Sequence, residues 1–251
     1  MSPLVEFVPT SGVWVRREDM NRIGLANGTK ARAILAIAEG GRGIVTSGGR
    51  VSTQGLMAAA VAKHLAIPLE FHTATGDSTD VLDAIRKMGG EIIQHRPGYT
   101  SVISARAVAA AATPAKAGWR LVPGGMQHPR MVSTVAAAVD PAGLPPAKRL
   151  VIACGSGLTL SGVLRSLPRE MPVLGVCVGA DPRKHLTQYA PPGWRSRVTL
   201  VDAEAGFHSH APEEYYGIPV DPIYSGKCIP FLQEGDLLWN SGARQLVFQA
   251  L

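Results

Sequence analysis

The chain has 251 residues, 46% of them hydrophobic and 18% charged, which suits a globular protein of one large or two small domains and excludes a disordered one. Its net charge of +6 is spread along the chain, so it attracts anions without marking a nucleic-acid patch. The spacing of Cys154, Cys177 and Cys228, the opening 1–12 and the lack of an apolar run of about 18 residues exclude a metal-ligand motif, a secretory signal and a membrane span, leaving a reduced, cytoplasmic protein as the expectation.

Alternation over 13–17 (VWVRR) predicts a strand, broken by Glu18, Asp19 and Asn21. A loop over 20–29 holds Gly24 and Gly28, and Ala, Ile and Leu at helical spacing predict a helix over 30–39, stopped by Gly40 and Gly41. Lys30 therefore stands at the first turn of a helix. A lysine amine that can form an imine is the handle for pyridoxal phosphate (PLP) chemistry; a solvated surface lysine is the ordinary alternative.

The apolar run 43–47 suits a buried parallel strand. The glycine-led loop Gly48-Gly49-Arg50-Val51-Ser52-Thr53 opens an Ala-rich helix over 54–65. A strand over 67–72, a helix over 81–88 capped by 78–80, and a strand over 91–95 complete a βαβαβ pattern. Further helices are expected over 101–112 and 131–139, with a short strand over 119–122. A clean apolar strand over 149–153 runs into Gly155-Ser156-Gly157-Leu158-Thr159, followed by a helix over 158–167 and a strand over 173–178. Residues 181–210 read mostly as loop, with a strand over 197–201, and the last block holds DPIYSGK at 221–227, a strand over 237–239 and SGAR at 241–244.

Two of these strand-to-helix loops suit anion binding. Glycines at 155 and 157 let backbone N–H groups close on a phosphate, the helix N-terminus adds partial positive charge, and Ser156 and Thr159 supply hydroxyls. The sequence there is neither a P-loop nor a dinucleotide fingerprint, and a tight turn is the plain alternative. The loop 47–55 carries hydroxyls as well; it can grip a carboxylate through backbone N–H groups, with Ser52 placed for proton transfer. His208 and His210 flank Ser209, but no Cys or carboxylate completes a ligand set, so no metal site is expected.

Taken in order, VWVRREDMN, NGTKAR, SGGRVSTQG, GSGLT, DPIYSGK and SGAR make the chain resemble the PLP-dependent family of 1-aminocyclopropane-1-carboxylate deaminase and D-cysteine desulfhydrase, over roughly residues 13–244. The resemblance implies an α/β fold of the tryptophan synthase β-like type: two domains of open parallel sheets with flanking helices, a small one near 40–125 and a large PLP-binding one from 1–39 and 126–251. It implies that Lys30 is the Schiff-base lysine, that Gly155, Ser156, Gly157, Leu158 and Thr159 form the phosphate cup, and that Ser52 and Tyr224 are catalytic or substrate-side residues. Thr53 stands where the family has an Asn beside the ring hydroxyl, and Ser225 and Ser241 are candidate contacts to the pyridine nitrogen. A neutral serine there suits β- or α,β-elimination better than a reaction that needs a protonated ring.

The resemblance thus implies a PLP-dependent lyase or deaminase of an amino acid, and commonly a homodimer. The altered STQ loop, the short 203–221 region and the basic charge leave two alternatives: an enzyme acting on an amino-acid-modified nucleotide or DNA base, by decarboxylation for example, or a relative that binds PLP or an amino acid without turnover.

Overall fold

Two sheets organise the molecule, a computed structural model in which residues 4–179, 181–204, 206 and 209–251 are described. The chain divides into two compact units, one drawn from Met1–Asn21 and Met131–Gln245, the other from Arg22–Arg130 and Leu246–Leu251.

The first unit opens with an antiparallel hairpin of β1 (Val5–Val8) and β2 (Val13–Arg17), its outer face closed by Phe7 against Trp14 with ring centroids 4.5 Å apart. Strand β1 escapes a sequence reading because only Val8 of its four residues is buried, so it shows no alternating pattern. Glu18 and Asp19, which end β2, are buried rather than solvated. Arg16 donates to Glu18 at 2.9 Å, and Arg17 pairs with Asp19 at 2.8 Å. Buried carboxylates are tolerated when so paired.

The second unit begins with a small hairpin, β3 (Arg22–Ile23) and β4 (Ala26–Asn27), where the sequence predicts only a loop. It leads straight into α1 (Gly28–Ala38). Strand β5 (Ile44–Ser47), α2 (Thr53–Leu65), β6 (Leu69–Ala74), α3 (Asp80–Lys87), β7 (Glu91–His95), α4 (Thr100–Ala111) and β8 (Arg120–Val122) follow. The sheet order is β7-β6-β5-β8, every pair parallel. All four residues of β5 are buried, as a parallel strand covered on both faces requires. Helix α2 lies close against this sheet because Gly55 has no side chain; a Cβ there would come 2.5 Å from the Phe71 ring.

The chain returns through α5 (Pro129–Ala138) to β9 (Arg149–Cys154), α6 (Leu158–Ser166), β10 (Val173–Cys177), α7 (Arg183–Tyr189), β11 (Val198–Asp202), the short hairpin β12 (Glu214–Tyr215) and β13 (Ile218–Pro219), and β14 (Asp236–Asn240). The first unit's sheet runs β1-β2-β14-β9-β10-β11, parallel except for β1 with β2. Strand β14, late in the sequence, lies between β2 and β9 with all five residues buried. Its register sets Trp239 beside both Ile152 and Arg16, so the carboxyl ends of β14 and β9 open on the same edge of the sheet. In open α/β sheets that edge is where ligands bind.

Helix α7 corrects the loop expected over 181–210. Its seven residues bury only Leu186, so they offer no apolar periodicity to read. This mixed α/β architecture, with open parallel sheets and flanking helices, is the tryptophan synthase β-like fold that the sequence implies. Among the described residues no helix is long and apolar enough to cross a membrane.

Candidate active site

In the first unit β9 ends at Cys154, and the chain turns through Gly155, Ser156 and Gly157 into α6. Gly157 is the N-cap residue and adopts φ +87°, a conformation costly for any side-chain-bearing residue. A Cβ on it would come 2.9 Å from Cβ of Pro182 and 3.0 Å from its carbonyl oxygen. As a glycine, this N-cap residue has no side chain with which to cap the helix. Half-buried Ser156 and Thr159 flank its first turn, and Leu158 is buried. A helix N-terminus reached by a glycine turn suits a phosphate.

The DPIYSGK block completes this edge. A Cβ on Gly155 would lie 3.2 Å from the Tyr224 ring, so the small residue leaves the aromatic ring room against the loop. Ser225 is fully buried; its Oγ lies 3.3 Å from Oγ of Ser241 and accepts the Ser241 N–H at 3.1 Å. Both serines expected at the pyridine nitrogen are thus brought together.

Two residues of the same blocks hold the edge in place. Asp221 receives Arg244 through Nε at 2.9 Å and Nη2 at 3.1 Å, and its Oδ1 also accepts the Ile223 N–H at 2.9 Å. Both side chains are buried, so this ion pair fastens the Tyr224 turn to the turn after β14. Lys227 is buried too and donates to the Gly206 carbonyl at 2.6 Å; burial lowers its pKa, with Asp221 opposing. Spacing alone did not reveal either role.

In the second unit Asn27 enters α1 in an extended conformation and Gly28 turns at φ +85°. The helix therefore starts two residues before the expected 30, and Lys30 is a half-buried residue of its first turn. Ser52 is the N-cap of α2, with its Oγ accepting the Gly55 N–H at a long 3.4 Å. That leaves its hydroxyl proton available to a ligand. A Cβ on Gly48 would fall 2.6 Å from this Oγ. Thr53 is buried in the first turn, and Gln54 donates to Thr46 Oγ1 at 2.9 Å and to the Pro123 carbonyl at 2.8 Å, which makes it an anchor.

Arg50 is a residue the sequence reading passed over. Its guanidinium donates to the Asp77 carbonyl at 2.7 Å, and Thr79 Oγ1 donates to its carbonyl at 2.6 Å, tying the Ser52 loop to the turn that caps α3. Among the described residues no group of three or more His, Cys, Asp and Glu is placed to hold a metal ion. His210 is exposed and His208 lies outside the described residues. Burial raises the thiol pKa values of Cys154, Cys177 and Cys228, which disfavours their reactive thiolate forms.

The profile of the family described as "Pyridoxal-phosphate dependent enzyme" matches residues 2–214. Solved structures share the fold. The crystal structure of an ACC deaminase homologue superposes with a TM-score of 0.80 at 20% identity, covering 95% of this chain and 88% of that one. Diaminopropionate ammonia lyase from Escherichia coli, in its apo form, gives 0.58 at 17% identity, covering 95% and 82%. The processed form of threonine deaminase isoform 2 from Solanum lycopersicum gives 0.64 at 14%, covering 95% and 78%. No curated protein sequence matches.

Proposed function

This chain belongs to the pyridoxal-phosphate dependent enzyme family, and from that premise we propose that it is a lyase or deaminase acting at Cα of an amino-acid substrate. In this reading the amides of Gly155 to Thr159 hold the cofactor's phosphate, and Ser225 and Ser241 meet its pyridine nitrogen. Thr53 stands at the ring hydroxyl, and Lys30 supplies the amine that attaches the cofactor. When bound, the cofactor withdraws electrons from Cα of the amino acid. Lys30 Nζ, in its neutral form, would take the Cα proton. Ser52 and the first amides of α2 hold the substrate carboxylate, and the Tyr224 hydroxyl orients the departing side of the substrate.

The observation that carries this reading is the Ser225–Ser241 hydroxyl pair, with Ser225 fully buried, beside the glycine turn that opens α6. Its neighbouring carboxylate, Asp221, is engaged by Arg244. A hydroxyl partner leaves the ring nitrogen unprotonated, which favours elimination over reactions that need the strongest electron sink. Two titrations test it. Wild-type protein loaded with PLP is expected to show the visible band of the lysine-bound cofactor and to release ammonia or a keto acid from at least one member of an amino-acid panel. Lys30→Ala is expected to lose both. A protein that takes up no added PLP overturns the reading.

A second reading keeps the cofactor and changes the substrate, with decarboxylation one reaction open to it beside elimination. Arg165, Lys184 and Arg195 are exposed on the face built by α6, α7 and the turn after Gly193, where Arg165 Nε donates to the Tyr189 carbonyl and Arg195 Nη2 to Thr187 Oγ1, each at 2.9 Å, while Arg183 there is paired with Asp181 at 3.1 Å. Such a face favours an amino acid carried on an anionic group, as in a modified nucleotide or DNA base. DNA binding that weakens steeply with added salt is expected in that case, and no binding at low salt counts against it.

A further inference from the structure

Helix α7 takes no part in the sequence motifs, yet it touches the phosphate loop at two points. Pro182, at its N-cap, fills the space beside Gly157. One turn on, His185 Nδ1 lies 2.9 Å from the carbonyl oxygen of Ser156. A carbonyl only accepts, so Nδ1 carries the proton in this contact.

The peptide between Ser156 and Gly157 is planar and trans, so its C=O and N–H point in opposite directions. Holding the Ser156 carbonyl against α7 turns the Gly157 N–H to the opposite side of the loop. Gly157 is where the chain enters α6, and its positive φ lets the peptide take this orientation without strain.

We propose that His185 is a positioning residue for the phosphate cradle: it fixes the Ser156–Gly157 peptide plane so that the Gly157 amide serves the bound anion. The proposal rests on the PLP-dependent reading above and adds a residue outside the motifs. His185 is not a catalytic residue, since it acts through Ser156. Its effect is confined to ligands that carry a phosphate.

That confinement provides the test. Dissociation constants of the whole protein are measured by spectral titration for PLP and for pyridoxal, which lacks the phosphate. His185→Leu keeps the bulk and removes the donor; His185→Asn places a donor amide near the position of Nδ1. The expected result is an about tenfold loss of PLP affinity in His185→Leu, the scale of one charge-assisted hydrogen bond. Pyridoxal affinity stays at its wild-type value, and His185→Asn recovers most of the PLP loss. The ³¹P resonance of bound PLP shifts in His185→Leu and returns in His185→Asn. Equal losses for PLP and pyridoxal, or no loss for either, overturn the proposal while leaving the PLP reading standing. Wild-type protein that binds neither compound overturns that reading, and this inference with it.

Discussion

The loops that open α6 and α2 are both glycine turns between a buried parallel strand and an Ala- or Leu-rich helix, and both carry serine and threonine. They differ in where the serine falls. In the α2 loop Ser52 is the N-cap residue and closes on the Gly55 amide of its own helix. In the α6 loop Ser156 precedes the N-cap, and Gly157, which has no side chain, occupies it. A displacement of one residue separates a helix whose N-cap serine meets one of its own first-turn amides from a helix whose N-cap residue has no side chain to do so. Their surroundings differ too: a buried ion pair, Asp221 with Arg244, holds the Tyr224 turn that lies against Gly155 of the α6 loop, and the neutral Gln54 amide anchors the α2 loop.

The contrast in supports predicts the largest effect. Asp221→Asn leaves the buried Arg244 without its counter-charge and is expected to lower stability by about 3 kcal/mol, read by urea unfolding. A loss within 0.5 kcal/mol, the ordinary scatter of surface substitutions, would show that the ion pair is not what holds this edge.

The contrast in caps predicts a smaller, split effect. Gly157→Ala meets both a positive φ, costing about 1–2 kcal/mol, and the Pro182 contact, so PLP affinity and stability fall together. Ser52→Ala removes a long cap bond and is expected to cost about 0.5–1 kcal/mol, with PLP affinity unchanged and turnover reduced. Equal effects of the two substitutions on PLP affinity would erase the distinction drawn between the loops.

Acid provides the smallest effect. His72, paired in register with Ser47 at the start of the α2 loop, is buried with its Nδ1 2.8 Å from His95 Nε2. Burial lowers its pKa, the His95 charge adds to this, Glu70 opposes and Lys116 reinforces it. The unfolded chain takes up the proton near pH 6.5, whereas the folded one resists it. Stability is therefore full above that pH and declines as pH drops through it. Thermal unfolding from pH 8 to pH 5 should show a shallower decline in His72→Asn than in the wild type, and parallel curves would assign the acid sensitivity elsewhere.

Much of the fold was readable because its strands are local apolar runs punctuated by glycine. Strand β5 and strand β9 announce themselves by composition, and Lys30, GSGLT and DPIYSGK stand in recognisable blocks. The exceptions share a cause. Strand β1 and helix α7 bury one residue apiece, so their stability comes from neighbours and leaves no periodic trace. Glu18 and Asp19 read as strand breakers, and sit buried because Arg16 and Arg17 neutralise them and Asn240, 221 residues distant from Asp19, donates to it at 2.9 Å.

The sequence by itself determined the element types and the residue kinds available for the chemistry, because helix and strand patterns, glycine turns and a lysine at a helix start are written within a few positions of one another. Only the tertiary structure decided which of them act together within each unit. It set Ser225 against Ser241, locked Asp221 to Arg244, and brought His185 to the Ser156 carbonyl 29 residues away. The physical reason is that hydrogen bonds and ion pairs depend on distance and direction in space. Those are fixed by sheet order, here by the insertion of β14 between β2 and β9, and not by separation along the chain.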